Sequence, residues 1–177
     1  MTMTAAPSLN PRSCADEVLT FERHLPGPIS RVWAYLTDSA LRRQWLAGGD
    51  TIAGMGDSFE LVWRNDELSA SAAERPPGFA DVSRATCLLT ALDPPHRLEF
   101  TWPGVGEVSI RLAEDGNDVR LTLTHRHCPD AAWLPMLCAG WHTHLDILAA
   151  KAQGATPPSF WATWTQLRLR YTDGTPA

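Results

Sequence analysis

The segment running from Pro135 to about Ala152, PMLCAGWHTHLDILAAKA, carries the clearest helical period in the chain and sets what the rest must provide. Met136, Leu137, Gly140, Trp141, His144, Leu145, Leu148 and Ala152 recur at three- and four-residue spacings and form one stripe. Pro135 suits a first helical position, where its missing N–H has no intrahelical partner to lose. Lys151 in the last turn and Gly154 just beyond provide a stop. A helix of this length is roughly 27 Å long. Its stripe needs a broad apolar surface to lie on.

The preceding residues supply that surface. Glu17–Leu25 alternates, with Leu19, Phe21 and Leu25 on one face, before Pro26-Gly27-Pro28 breaks it. Ile29, Val32, Trp33 and Leu36 then mark a short amphipathic helix, and Asp38 can cap a second one over Ser39–Trp45. Gly48-Gly49 ends that helix. Beyond it the period becomes two: Phe59, Leu61 and Trp63; a longer strand over Val82–Leu92; Leu98, Phe100 and Trp102; Val108, Ile110 and Leu112; Val119, Leu121 and Leu123. His125 and His127 are read as continuing the last of these faces. Asp93-Pro94-Pro95-His96, Pro103-Gly104 and Glu114–Asp118 are the turns between strands, and Asn65–Gly78 is read as a polar loop. Consecutive strands joined by short turns give an antiparallel sheet with one dry face. The fold class is therefore α+β. One helix about 10 Å across cannot fill the concavity of a strongly curved sheet, so the leftover space is packed with large side chains or forms a cavity.

Residues 1–16 are rich in Pro, Ser and Ala and are expected to be disordered, residues 17–154 form the domain, and 155–177 are an extension. In that extension Phe160, Trp161, Trp164 and Leu167 fall at helical spacing, which gives a patch tied down on the domain, a lid, or a homodimer contact. The net charge of −5 and the lack of a basic stripe argue against a nucleic-acid partner. No apolar run is long enough to span a membrane, the start does not read as a secretory signal, and four scattered cysteines fit a reducing, cytoplasmic setting.

VWAYLTD (Val32–Asp38) with Trp45, LDPPHRLEFTW (Leu92–Trp102) and LTLTH…GWHTHLDIL (Leu121–Leu148) together resemble the bacterial proteins similar to the activator of Hsp90 ATPase, within the START/Bet v 1-like (SRPBCC) superfamily. The resemblance runs from about Glu17 to Gly154. It implies the helix-grip fold: a curved antiparallel sheet of six or seven strands around a long terminal helix, with two short helices after the first strand. It further implies an internal cavity for a small apolar or amphipathic molecule, and no shared catalytic motif. The eukaryotic co-chaperone has a further domain for which this chain has no room, so no Hsp90 partnership is carried over. The loop Asn65–Phe79 and the tail after Gly154 depart from the family pattern and are able to reshape the cavity mouth.

The expected cavity lining is Trp33, Trp45, Phe59, Leu61, Trp63, Phe100, Trp102, His125, Trp141, His144, Leu145 and Leu148. The tryptophans would suit a flat or aromatic ligand, and His125 and His144 would anchor its polar groups. His125 and His127 on a strand, joined by His144, have feasible geometry for a metal, but a polar group on a core face more often satisfies itself by hydrogen bonding, and no metal is expected. No cofactor is expected either, since neither GMG (54–56) nor GVG (104–106) precedes a helix. His142 and Asp146, four residues apart, read as a solvated surface pair, and Asp81 and Glu99 as outward mid-strand acids. No nucleophile elbow is present. The function read here is binding of a small apolar or amphipathic molecule. The alternatives are a polyketide cyclase- or aromatase-like enzyme using the cavity histidines, or an interaction module acting through the tail.

Overall fold

The computed structural model describes residues 18–55, 58–128 and 130–174. The disorder expected for residues 1–16 and the last glycine of GMG lie outside the described residues. Seven antiparallel strands form one sheet: β1 (Val18–Pro26), β2 (Gly48–Gly49), β3 (Ser58–Trp63), β4 (Ser83–Asp93), β5 (Arg97–Trp102), β6 (Gly106–Asp115) and β7 (Asp118–Arg126), in the order β1-β7-β6-β5-β4-β3-β2. Apart from β1, which crosses to pair with β7, each strand pairs with its neighbour in sequence, as short turns require. Four helices accompany the sheet: α1 (Ile29–Thr37), α2 (Ser39–Arg42), α3 (Leu134–Gln153) and α4 (Phe160–Thr172). This is the helix-grip arrangement, with α3 lying against the concave face.

Strand alternation buries one side chain in two. In β1, Leu19, Phe21, Arg23 and Leu25 face inward, and in β7 Val119, Leu121, Leu123 and His125 do. Asp38 caps α2, its Oδ1 accepting from the Leu41 N–H, but that helix ends at Arg42 rather than at Trp45. The chain then turns and lays Gly48-Gly49 against β3 as a seventh, two-residue strand, where the sequence suggested only a helix stop. Gly49 is required there. Its φ is +95°, and a Cβ would meet the Glu60 carbonyl oxygen. The loop after β3 contains two 3₁₀ turns, Asn65–Leu68 and Ala72–Glu74.

The turn after α2 is held by a buried cation. Arg42 is 2% exposed, and all five of its donors reach backbone carbonyls, those of Leu36, Thr37, Ala47, Gly48 and Asp50. Burial lowers its pKa to about 10, only partly offset by Asp38 and Asp50, so it stays charged at neutral pH. The side chain closes the end of α1 and fixes the β2 approach. With Arg42 replaced by Met, five carbonyls lose a donor, although that of Thr37 keeps the Ile52 N–H, and unfolding in urea should show a loss of about 3 kcal/mol or more. A loss below about 1 kcal/mol would mean that the turn is held by other contacts.

Candidate functional site

One half of the sheet's concave face is solid. Trp45, Leu61, Leu145 and Leu148 are almost fully buried there, and Phe59 and Phe100 meet edge to face at 5.5 Å. The indole N–H of Trp45 donates to the Tyr35 carbonyl at 2.8 Å, which ties the α2 turn to α1. These six residues, together with the half-buried Trp33 of α1, belong to the packed core; Phe59 alone among them also borders a small cleft, of about 290 Å³, beside residues 50–54.

The other half is hollow. A pocket of about 320 Å³ lies between the ends of β3, β4 and β5, the first three turns of α3, and the start of α4. Six of the eight tryptophans line it: Trp63, Trp102, Trp133, Trp141, Trp161 and Trp164. They fall into two walls. On the sheet side Trp63 and Trp102 stack at 4.8 Å with planes 9° apart, and Trp141 stands edge-on to Trp102 at 6.3 Å. On the helix side Phe160, Trp161, Trp164 and Phe79 form a chain of tilted and edge-on contacts between 4.9 and 5.7 Å. The tilted and edge-on contacts suit the ring quadrupoles. Asp81, Ser83 and the exposed Trp133 sit at the mouth. Asp81 precedes β4 instead of lying within it, so the period-two expectation does not apply to it.

Of the twelve residues expected to line a cavity, Trp63, Trp102, Trp141 and His144 do border this pocket. His125 stands behind its wall. Its Nε2 donates to the Val105 carbonyl at 3.1 Å, and its Nδ1 accepts the Trp141 indole N–H at 3.0 Å. Both nitrogens are thus used within the protein, and the ring holds Trp141 in place. Burial lowers its pKa, consistent with the neutral form that can accept that bond. Gly106 permits the arrangement, because a Cβ at its φ of +142° would collide with the Arg126 carbonyl oxygen and the His125 ring. His127 does not continue the strand face. Its φ is +60°, so the ring turns outward, exposed, to lie 3.4 Å from Glu107, and it does not converge with His125. Among the described residues, no three His, Cys, Asp or Glu side chains are grouped to hold a metal.

His144 borders the pocket from α3. Its Nδ1 lies 2.7 Å from the Trp45 carbonyl oxygen, and its ring packs on Phe160 at 4.5 Å. Burial lowers its pKa to about 4.

His142 and Asp146 are not a solvated pair. Arg23 Nη2 lies 2.8 Å from Asp146 Oδ1, Asp146 Oδ2 lies 3.3 Å from His142 Nε2, and His142 Nδ1 lies 2.9 Å from the Tyr171 hydroxyl. The network is covered because α4 lies along α3, which the i, i+4 spacing alone could not reveal. The Asp146 carboxyl sits below its ordinary pKa: hydrogen bonding to His142 and the charge of Arg23 outweigh its burial. Arg23 had a sequence signal, since it shares the inward parity of Leu19, Phe21 and Leu25.

A second, larger cleft of about 470 Å³ lies between α2, the 65–70 loop and the 156–159 linker. Its lining mixes polar and apolar groups, with Arg43 and Glu67 paired there at 2.8 Å. It has no aromatic wall.

With the helix-grip class defined by the fold, the comparisons place the chain within it. Residues 26–153 match the family described as Activator of Hsp90 ATPase homolog 1-like protein, and the chain belongs to that family. A Bordetella parapertussis protein solved by NMR is similar at 39% identity over 97% of this chain and 94% of its own, with a TM-score of 0.71. CalU16 from Micromonospora echinospora is similar in fold at 21% identity over 95% and 93% of the two chains, with a TM-score of 0.65. DynU16, from the dynemicin biosynthetic locus, shares the fold at 21% identity over 80% of this chain and 49% of its own, with a TM-score of 0.61. No curated protein matches the sequence. Among the described residues, no helix is long and apolar enough to cross a membrane.

The buried neutral state of His144 fixes the sign of a pH effect. The unfolded ring takes up a proton near pH 6.5 and the folded one only near pH 4, so the unfolded state binds more protons between them. Stability should be full above pH 6.5 and fall by about 3 kcal/mol as pH drops toward 4. His144→Phe should flatten much of that slope in urea titrations at about pH 7.5, 5.5 and 4.5. An unchanged slope in the variant would assign the effect to other groups.

Proposed function

We propose that this protein binds a small, flat aromatic or amphipathic molecule in the pocket between the sheet, α3 and α4. The observation that carries this reading is the gathering of six tryptophans around one opening while the rest of the concave face is packed solid. A core that only needed filling would close such rings on one another. Here the two walls stand apart across about 320 Å³, a volume at the lower end for small-molecule sites. Three of the six indole groups are held by hydrogen bonds before any ligand arrives. Trp141 donates to His125, Trp161 to Asp66 Oδ1 at 2.8 Å, and Trp164 to the Met136 carbonyl at 3.2 Å. Walls fixed in this way lose little freedom on binding. The site of action in this reading is the cytoplasm.

The enzyme reading asks for titratable groups that converge on one reacting atom. Among the described residues the pocket interior offers one buried titratable ring, His144, kept neutral far below the working range of a general base. Asp81 is exposed at the rim and accepts from its neighbour's N–H. A tail acting as a dimer contact has little left to offer, because Phe160, Trp161, Trp164, Leu167 and Tyr171 are already buried within the chain.

N-phenyl-1-naphthylamine, a neutral fluorescent aromatic, should bind with increased emission. Trp102→Ala should weaken it on the order of tenfold through loss of the stacked wall, whereas Trp33→Phe in α1 should leave it unchanged. Equal affinities in the wild type and Trp102→Ala would remove the pocket as the binding site.

A further inference from the structure

The cleft beside α2 holds the chain's only lysine. Fourteen of the fifteen basic residues are arginine, and Lys151 alone carries an ε-amine. It stands half-buried in the last turn of α3, where it lines that cleft. A lysine so placed ordinarily serves the free carbonyls at a helix end. Here other donors serve them. The Gly154 and Ala155 N–H groups reach the Lys151 and Ala150 carbonyls, and Arg31 Nη2 donates to that of Ala152 at 2.7 Å. Lys151 itself donates no side-chain hydrogen bond and enters no ion pair among the described residues.

The other charges of the cleft cancel. Arg43 Nε and Nη2 donate to the two Glu67 oxygens at 2.9 and 2.8 Å, and Glu67 is the one acid of the lining. The ammonium of Lys151 is therefore left uncompensated, in a chain whose net charge is −5. Two hydroxyls of the lining are spent inside the protein: Ser69 donates to the Asn65 carbonyl, and Ser159 pairs with Glu74. Gln44 and Thr156 are exposed and carry both donor and acceptor atoms, so they favour neither sign of charge. Much of the remaining surface is aliphatic, from Leu68, Ala70, Ile147, Pro157 and Pro158. The volume of about 470 Å³ lies within the range of small-molecule sites.

We propose that this cleft is a second binding site, for a small aliphatic carboxylate whose anionic head pairs with Lys151. The ammonium supplies charge-assisted hydrogen bonds to the head, and the aliphatic lining covers the tail. The cleft and the aromatic pocket share no lining residue, so the two sites stand or fall separately. One is walled by rings and the other by aliphatic groups around a single open cation.

Calorimetric titration of the full chain with octanoate and octanamide, near neutral pH and at low salt, tests it. The two probes share length and shape and differ in charge. Octanoate should bind roughly fivefold more tightly, as a partly buried ion pair allows, and added salt should narrow the gap. Lys151→Gln should bring octanoate to the level of octanamide, whereas Trp102→Ala should leave it unchanged. Because Lys151 is the only ε-amine, its acetylation by N-acetoxysuccinimide, read by peptide mass spectrometry, reports on the cleft in the wild type without any variant. Saturating octanoate should slow that acetylation several-fold. Octanoate that binds but leaves the acetylation rate unchanged overturns the cleft as its site, as does binding lost in Trp102→Ala or unaltered in Lys151→Gln. Octanamide binding as tightly as octanoate overturns the role of the ammonium, and no octanoate binding to the wild type overturns the proposal outright. None of these results touches the reading of the aromatic pocket, which the naphthylamine titration tests.

Discussion

A single helix laid across a curled seven-stranded sheet leaves more apolar surface than it can cover, and the structure is two different answers to that surplus. Near α1 and α2 the surplus is filled. Trp45, Leu61, Phe59 and Phe100 close against α3, and Arg42 draws five carbonyls together so that the chain can turn back onto β3. Near the start of α3 the surplus is roofed by α4 and the loop carrying Phe79, which leaves a gap between roof and floor. Full packing would give up the space, while an unroofed sheet would expose indole surface to water. Both halves draw on the same aromatic residue types. What differs is whether the covering element closes on the sheet or leaves the pocket between them.

That separation is kept by polar anchors rather than by apolar contact alone. At the far end of α4, Tyr171 reaches His142, which bears on Asp146 and through it on Arg23 of β1. At the near end Trp161 binds Asp66, and Ser159 pairs with Glu74, fixing α4 to the two 3₁₀ turns. Opposite them His125 holds Trp141 upright by a bond whose other end is the Val105 carbonyl. Hydrogen bonds are directional where hydrophobic contact is not, so they can hold two walls apart that burial alone would draw together. Almost every buried polar side chain here is spent in this way. His144 is the instructive case, because one nitrogen is anchored to Trp45 and the other is not.

Much of the frame was legible in the sequence because local periodicity encodes it. The strand alternation, the α3 stripe with Pro135 and Gly154 at its ends, and the Asp38 cap all follow from rules that act within a few residues. What was not legible depended on which element covers which. Trp45, Phe59, Leu61, Phe100, Leu145 and Leu148 were expected at a cavity because they point to the concave face; they do, but that half is filled. His142 and Asp146 read as a surface pair from their spacing alone; the placement of α4 buries His142, and Arg23 of β1 pairs with the half-buried Asp146. His127 left the strand at a positive φ that no alternation rule foresees. Phe79, alone in a polar loop, had no periodic signal, although it meets both Trp161 and Trp164.

The family match ends at residue 153, the last residue of α3, while one wall of the pocket is built largely from α4, further along the chain. Phe160, Trp161 and Trp164 lie beyond that limit, whereas the loop residues Asn65 and Phe79 lie within it. The matched span therefore includes most of the sheet, α3 and the loop carrying Phe79, whereas α4 lies outside it. The ligand of any relative is then informative about this chain only where its α4 and 65–80 equivalents carry the same rings. Within the matched span His144 is the one buried titratable residue on the pocket wall. Its ring is met by Phe160 of α4, so the matched and unmatched parts of the chain join at this corner of the pocket.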